Sequence, residues 1–266
     1  MSARIYLDWD FCAAPFSFNA QDYMNAESLG TTLNEMYDHA LCARVRKSLH
    51  NYMCGELKPF LEKYMSRITI LTANSEQNVK DILEHFDLAE YEPKIVSIFD
   101  KKAEALGRPD VTSNLFAAVV EYNKKVMGGK RNKTIEYVAE KFNNSAKASP
   151  VSVQDIRRTN RIWGSRILRI EQTVTKAAYI KAERVPFVFL DDSGSEIRSV
   201  QSLIDQGVPG IVVSIPRPGL KSPFEQCGMF SVPGKALVAS YGHETWEAYM
   251  DEQLGIMDRG HAANFV

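Results

Sequence analysis

Cysteine is scarce in this chain, four in 266 residues, and Cys12, Cys42, Cys54 and Cys227 form no CxxC pair. Neither a zinc knuckle nor a disulfide framework is indicated. No stretch approaches the roughly 18 consecutive apolar residues of a membrane-spanning helix. The N-terminus also lacks the basic-then-apolar pattern of a secretory signal. "MGGKRNK" (127–133) has neither the spacing nor the Ser/Thr of a phosphate-binding P-loop, and "HETWE" (243–247) lacks the second histidine of a zinc-protease helix. The five histidines are scattered. These absences lead to the expectation of a soluble protein of a reducing compartment, cytoplasmic by default, with specialised export left open.

Net charge is nearly absent too, at −1, but its distribution is uneven. Between Lys124 and Lys176 stand thirteen Lys or Arg and four Asp or Glu, a local excess of nine positive charges. Such asymmetry speaks of partners rather than of fold. Arg157, Arg158, Arg161, Arg166 and Arg169 read either as the solvated face of a helix or, with Lys130, Arg131 and Lys133, as a surface that guides an anionic partner.

Five apolar runs have the length and composition of buried strands: 3–8, 67–75, 94–99, 185–192 and 210–216. Residues 21–66 read as mainly helical, with Leu33, Met36, Tyr37, Leu41, Val45, Leu49 and Met53 at helical spacing, and Pro59 stands near a helix start. "EQNVKDILEHF" (76–86) is a further helix with Val79, Ile82, Leu83 and Phe86 on one face. From about 101 to 170 helices occur without a convincing strand, and one of them opens on Ser152-x-x-Asp155, a capping-box-like start. A short helix over 176–184 precedes the fourth strand, and "HETWEAYMDEQL" (243–254) predicts a helix near the C-terminus. Strands alternating with helices on both sides of a break predict an α/β fold: a doubly wound parallel sheet formed by 1–100 and 171–266, with 101–170 as a basic helical insertion.

In such a sheet ligands bind beyond the carboxyl ends of the strands. Three strand ends are chemically loaded: Asp8 and Asp10 in "LDWDFC", Thr72 with Asn74 and Ser75, and Asp191 with Asp192. This order, with Lys176 opening a helix before the last of the three, resembles the four motifs of the haloacid dehalogenase superfamily, mostly phosphatases. The stretches "LTANSEQNVKDILEHFDLAEYE" (71–92) and "VFLDDSGSEIRSVQSLIDQGV" (188–208) are closest to its magnesium-dependent phosphatase branch, whose caps are small or absent. The likeness covers roughly 1–100 and 171–215.

The resemblance implies a phosphatase that uses Mg²⁺. Asp8 is then the nucleophile, forming an aspartyl-phosphate, and Asp10 the general acid and base. Asp8, Asp10, Asp191 and Asp192 hold the metal; Thr72, Ala73 and Lys176 bind the transferring phosphoryl group. Lys101 and Lys102 compete with Lys176 because they also follow a strand. Cys12 reads as a small packing residue or, alternatively, as a redox-sensitive thiol near the nucleophile. Glu196 reads as an acid near the lysine or the metal, or as a surface residue. An open site suits phosphoproteins, phosphotyrosine included, as well as small molecules. Two other readings compete: a polynucleotide end phosphatase that uses the basic insertion, and a non-catalytic binding module on the same scaffold.

Overall fold

The five apolar runs become strands in the computed structural model: β1 (Arg4–Leu7), β2 (Ile68–Thr72), β3 (Lys94–Ser97), β4 (Phe187–Asp191) and β5 (Gly210–Ser214). Residues 2–15, 47–91, 93–108, 110–127, 134–145, 150–217 and 227–263 are described by the structure. The helical periodicity over 21–46 lies outside them, as do Lys130, Arg131 and Lys133. The strands pair throughout in parallel, in the order β3-β2-β1-β4-β5. This is an α/β fold with a doubly wound parallel core.

Among the described residues, a π-helical stretch (Asn51–Leu57) leads into α1 (Lys58–Tyr64), and further α-helices follow in chain order: α2 (Glu76–His85), α3 (Ile98–Leu106), α4 (Ser113–Met127), α5 (Thr134–Ser145), α6 (Val153–Thr173), α7 (Lys176–Glu183), α8 (Gly194–Asp205), α9 (Val232–Ser240) and α10 (Trp246–Ala263). Chain contacts divide them between two units, Met1–Ser97 with Tyr179–Val266, and Ile98–Ala178. The first holds the sheet. β2 and β4 are buried at every position, so both faces of the sheet are covered. Alternation along the strands sends Ile5, Leu7, Val188 and Leu190 into one core with α1, α2 and α10. Tyr6 projects to the other face and meets Tyr179 of α7 edge-on, ring centres 6.2 Å apart. There α8 packs on β4 and β5.

The second unit is wholly helical among its described residues and has its own apolar core, to which Phe116, Val119, Val138, Ile156 and Ile167 belong. α6 packs against α3, α4 and α5. Its start is a true capping box: the Asp155 N–H donates to Ser152 Oγ at 3.0 Å and the Ser152 N–H to Asp155 Oδ2 at 3.2 Å. The sequence reading places the edges of this insertion at 101 and 170. β3 in fact stops at Ser97, and Ile98 and Phe99 open α3. Both elements bury apolar residues here, so an apolar run alone does not mark their boundary.

The sequence reading does not place α8 and α9 individually. α9 contains Pro233 and Gly234, both poor helix formers, yet Pro233 stands in the first turn, and Ser231 Oγ accepts the Gly234 N–H at 3.2 Å. No helix among the described residues is long and apolar enough to cross a membrane.

Candidate active site

The strand order reverses between β1 and β4, the place where an open parallel sheet leaves a crevice beyond its strand ends. Leu7 pairs with Leu190 in register, and the Asp8 N–H extends the ladder by donating to the Leu190 carbonyl at 3.0 Å. Asp8 and Asp191 therefore leave neighbouring strands side by side. Asp192 follows at once, and one carboxylate oxygen from each of these three residues lies within 4.8 Å of the other two.

Asp8 is 6% exposed and Asp191 fully buried. At a local dielectric constant of 20, two carboxylates that close repel by roughly 3 kcal/mol, so a group of three calls for compensating positive charge. Local donors meet part of the need: the Ser193 N–H donates to Asp191 Oδ1 at 2.7 Å. Arg217 supplies a full charge, its Nη1 3.1 Å from Asp192 Oδ2.

After β1 the chain makes one wide turn. The Ala13 N–H donates to the Asp8 carbonyl at 3.0 Å and the Ala14 N–H to the Trp9 carbonyl at 2.9 Å. Phe11 takes a left-handed conformation, φ 56°, which costs a bulky residue energy and persists only where the surroundings enforce it. Trp9 is buried in the sheet core. From behind, the Met229 N–H donates to the Cys12 carbonyl at 2.8 Å, and the Tyr52 hydroxyl reaches the same carbonyl at 3.4 Å. Burial raises the Tyr52 phenol well above its ordinary value, so it stays a neutral donor. Cys12 is buried and so has the setting of a packing residue.

Asp10 has a partner on the neighbouring strand end. Asn74, just past β2, donates from Nδ2 to Asp10 Oδ1 at 3.4 Å. Asn74 is in turn fixed by the Ser75 N–H, which donates to its Oδ1 at 2.8 Å, and by Asn78 Nδ2 at 2.9 Å. Thr72 ends β2 fully buried, and its Oγ1 accepts the Asn74 N–H at 3.0 Å. Ala73 is exposed beside it. The end of β2 and the turn after β1 thus form one polar network around Asp10.

The remaining sequence candidates lie as follows. Lys176 opens α7, is 4% exposed and belongs to the Ile98–Ala178 unit, whereas the carboxylates belong to the sheet unit. Lys102 is committed to Glu171, Nζ to Oε2 2.6 Å, and Lys101 is exposed. Glu196 is half-buried in the first turn of α8.

Sequence reasoning assigned no role to Arg217 or Phe11. The Arg217 guanidinium carbon lies 4.2 Å from the Phe11 ring centre, a close cation–π contact. Cys227 is nearby: burial pushes its thiol up, Arg217 pulls it down and Asp192 pushes it up again, with a net rise.

Comparison with known proteins adds no name to this geometry: no family model, no curated protein and no solved structure matches the chain. The likeness to haloacid dehalogenase phosphatases rests on the motifs alone.

Proposed function

We propose that the chain is a phosphomonoesterase that depends on Mg²⁺ and works through an aspartyl-phosphate on Asp8. One observation carries this reading: Asp8 and the adjacent Asp191 and Asp192, far from it along the chain, bring carboxylate oxygens within 4.8 Å of one another where the strand order reverses. An all-oxygen, all-carboxylate donor set suits a hard divalent cation, and these three residues would hold it. When bound, such an ion supplies the positive charge that lets a phosphate dianion approach the carboxylates.

An Asp8 carboxylate oxygen attacks phosphorus as the ester P–O bond breaks, so the phosphoryl group passes to Asp8. Asp10, held at the end of β2 through Asn74, gives its proton to the departing alkoxide oxygen. In the second half it takes a proton from the water that attacks phosphorus; the Asp8–phosphorus bond breaks and inorganic phosphate leaves. Thr72 Oγ1 already accepts the Asn74 N–H, which leaves its own hydroxyl proton for a phosphoryl oxygen. Ala73 offers a backbone N–H beside it. Lys176 is the candidate phosphoryl-binding cation because of its place before β4.

The substrate class is a phosphomonoester, on a protein side chain (phosphotyrosine included) or on a small molecule. A chain with so few cysteines and no metal-knuckle spacing suits the reducing cytoplasm. Hydrolysis of para-nitrophenyl phosphate tests the reading: it requires Mg²⁺ and stops with chelator or in Asp8→Asn. A folded chain inert toward sugar phosphates, nucleotides and phosphopeptides would instead be the binding module.

A second reading, a polynucleotide end phosphatase, draws on α6, whose Arg157, Arg158, Arg161, Arg166 and Arg169 are exposed. It requires retention of DNA or RNA that weakens steeply with salt. No retention at low salt removes it.

A further inference from the structure

Arg217 sits three residues beyond β5, at the same sheet edge as the carboxylates. Its contacts are unequal in a way that bears on the cation. On one side its Nη1 lies 3.1 Å from Asp192 Oδ2, and the Asp192 side chain is 4% exposed while that of Arg217 is 41% exposed. On the other side its guanidinium lies against the Phe11 ring at 4.2 Å, on the turn that Asp8 begins. A nearly buried carboxylate thus meets a cation that keeps an open route to solvent. A divalent ion held by Asp8, Asp191 and Asp192 draws on the carboxylate that Arg217 holds. Two positive charges a few ångströms apart also repel.

We propose that Arg217 is an exchangeable counter-ion of this acidic group. It neutralises Asp192 when no divalent cation is bound and gives up Asp192 Oδ2 when one binds. Phe11 then retains the guanidinium at the rim. Arg217 is a positioning residue acting through Asp192, and its role rests on the metal reading above. The opposing possibility is that Arg217 holds Asp192 in the pose the ion requires. The two differ in sign: removing a competitor tightens ion binding, whereas removing a support weakens it. Linkage is reciprocal, so an ion that displaces Arg217 is itself weakened by Arg217 to the same extent.

The test is calorimetric titration of Mg²⁺, and of Mn²⁺ in parallel, into chelator-stripped full-length protein without substrate. Wild type, Arg217→Gln, Arg217→Lys and Asp192→Asn are compared after circular dichroism has confirmed their folds. Arg217→Gln is expected to bind about three- to tenfold more tightly than wild type, the range of a partly screened ion pair. Arg217→Lys keeps the charge with poorer geometry and should gain less, though in the same direction, so it reports the sign if the glutamine variant does not fold. Asp192→Asn should bind more weakly than wild type. Wild type that binds the ion while both arginine variants bind it equally or less tightly overturns the counter-ion role and leaves the metal reading standing. Failure of wild type and of every arginine variant to bind either ion overturns both.

Discussion

The sheet unit and the helical unit handle charge in opposite ways. Ile98–Ala178 carries sixteen Lys or Arg against eight Asp or Glu, a net +8, which leaves −9 for the remainder of the chain. In the sheet unit the telling polar residues are buried: Asp8, Asp191 and Thr72 sit at strand ends, where backbone ladders hold them. Buried charge is costly unless compensated, and part of that compensation comes from the Ser193 N–H on Asp191 and from Arg217 beside Asp192. In the helical unit the arginines of α6 are exposed, and Arg157 pairs loosely with Glu136 at 3.5 Å. Exposed charge of this kind adds little to stability; its reach is through long-range attraction of anions. Under the proposed function, chemistry belongs to the first unit, and the exposed charge of the second serves long-range attraction of anions.

The comparison can be broken most forcefully at Asp8. Asp8→Asn should lower kcat toward para-nitrophenyl phosphate by about a thousandfold or more, whereas Arg161→Ser with Arg169→Ser should change it by no more than about twofold. Comparable losses in both variants would erase the division of labour.

Next in size are the two cores. Leu190→Ala in the sheet unit and Ile167→Ala in the helical unit each remove a fully buried side chain, at a cost of about 2–5 kcal/mol. Trp9 and Trp246 report on the first unit and Trp163 on the second, so denaturant unfolding followed in a Trp163→Phe background isolates the sheet. Each core substitution should move the transition of its own unit. A single transition shifted equally by both would show that the cores unfold as one.

A smaller effect marks the seam between β1 and α10. Burial pushes the Asp258 carboxyl up, but the Ala3 N–H at 2.8 Å and Arg67 at 2.8 Å outweigh it, and its pKa falls below the ordinary 3.8. A folded pKa below the unfolded one means that stabilisation is full above about pH 4 and disappears as pH falls through the folded value. Asp258→Asn should cost about 1 kcal/mol at pH 7. The stability curves of variant and wild type should converge in acid; curves that stay parallel down to pH 2 would remove this assignment.

The smallest expectation is that Arg158→Ser changes stability by less than about 0.5 kcal/mol, as read from the Trp163 transition. A larger loss would mean that the arginine face of α6 is structural.

Much of this was legible before folding is considered, for local reasons. Each strand is an apolar run ended by a polar residue, and that pattern survives in isolation, as does the 3.6-residue period that marks α4, α5 and α6. The acids at 8, 191 and 192 were visible because they terminate such runs. Arg217 was not: it follows Pro216 in a stretch without periodicity, and its meaning comes from Asp192, 25 residues away, and from Phe11 across the sheet edge. The left-handed turn at Phe11 was equally hidden, since phenylalanine does not advertise positive φ. Asp10 was visible as an acid two residues beyond Asp8, but its hydrogen bond from Asn74 joins two strand ends and has no local signal.

Local pattern, then, decided the class of fold, the positions of the strands and the residue types at their ends, since hydrophobic periodicity and capping act within a few residues. Strand order decided which of those ends meet. Placing β4 beside β1 rather than beside β3 is a matter of packing helices on both faces of a twisted sheet, a long-range outcome that no short window contains. That placement brought Asp8 to the distant pair Asp191 and Asp192, and Arg217 stands beside the last of them.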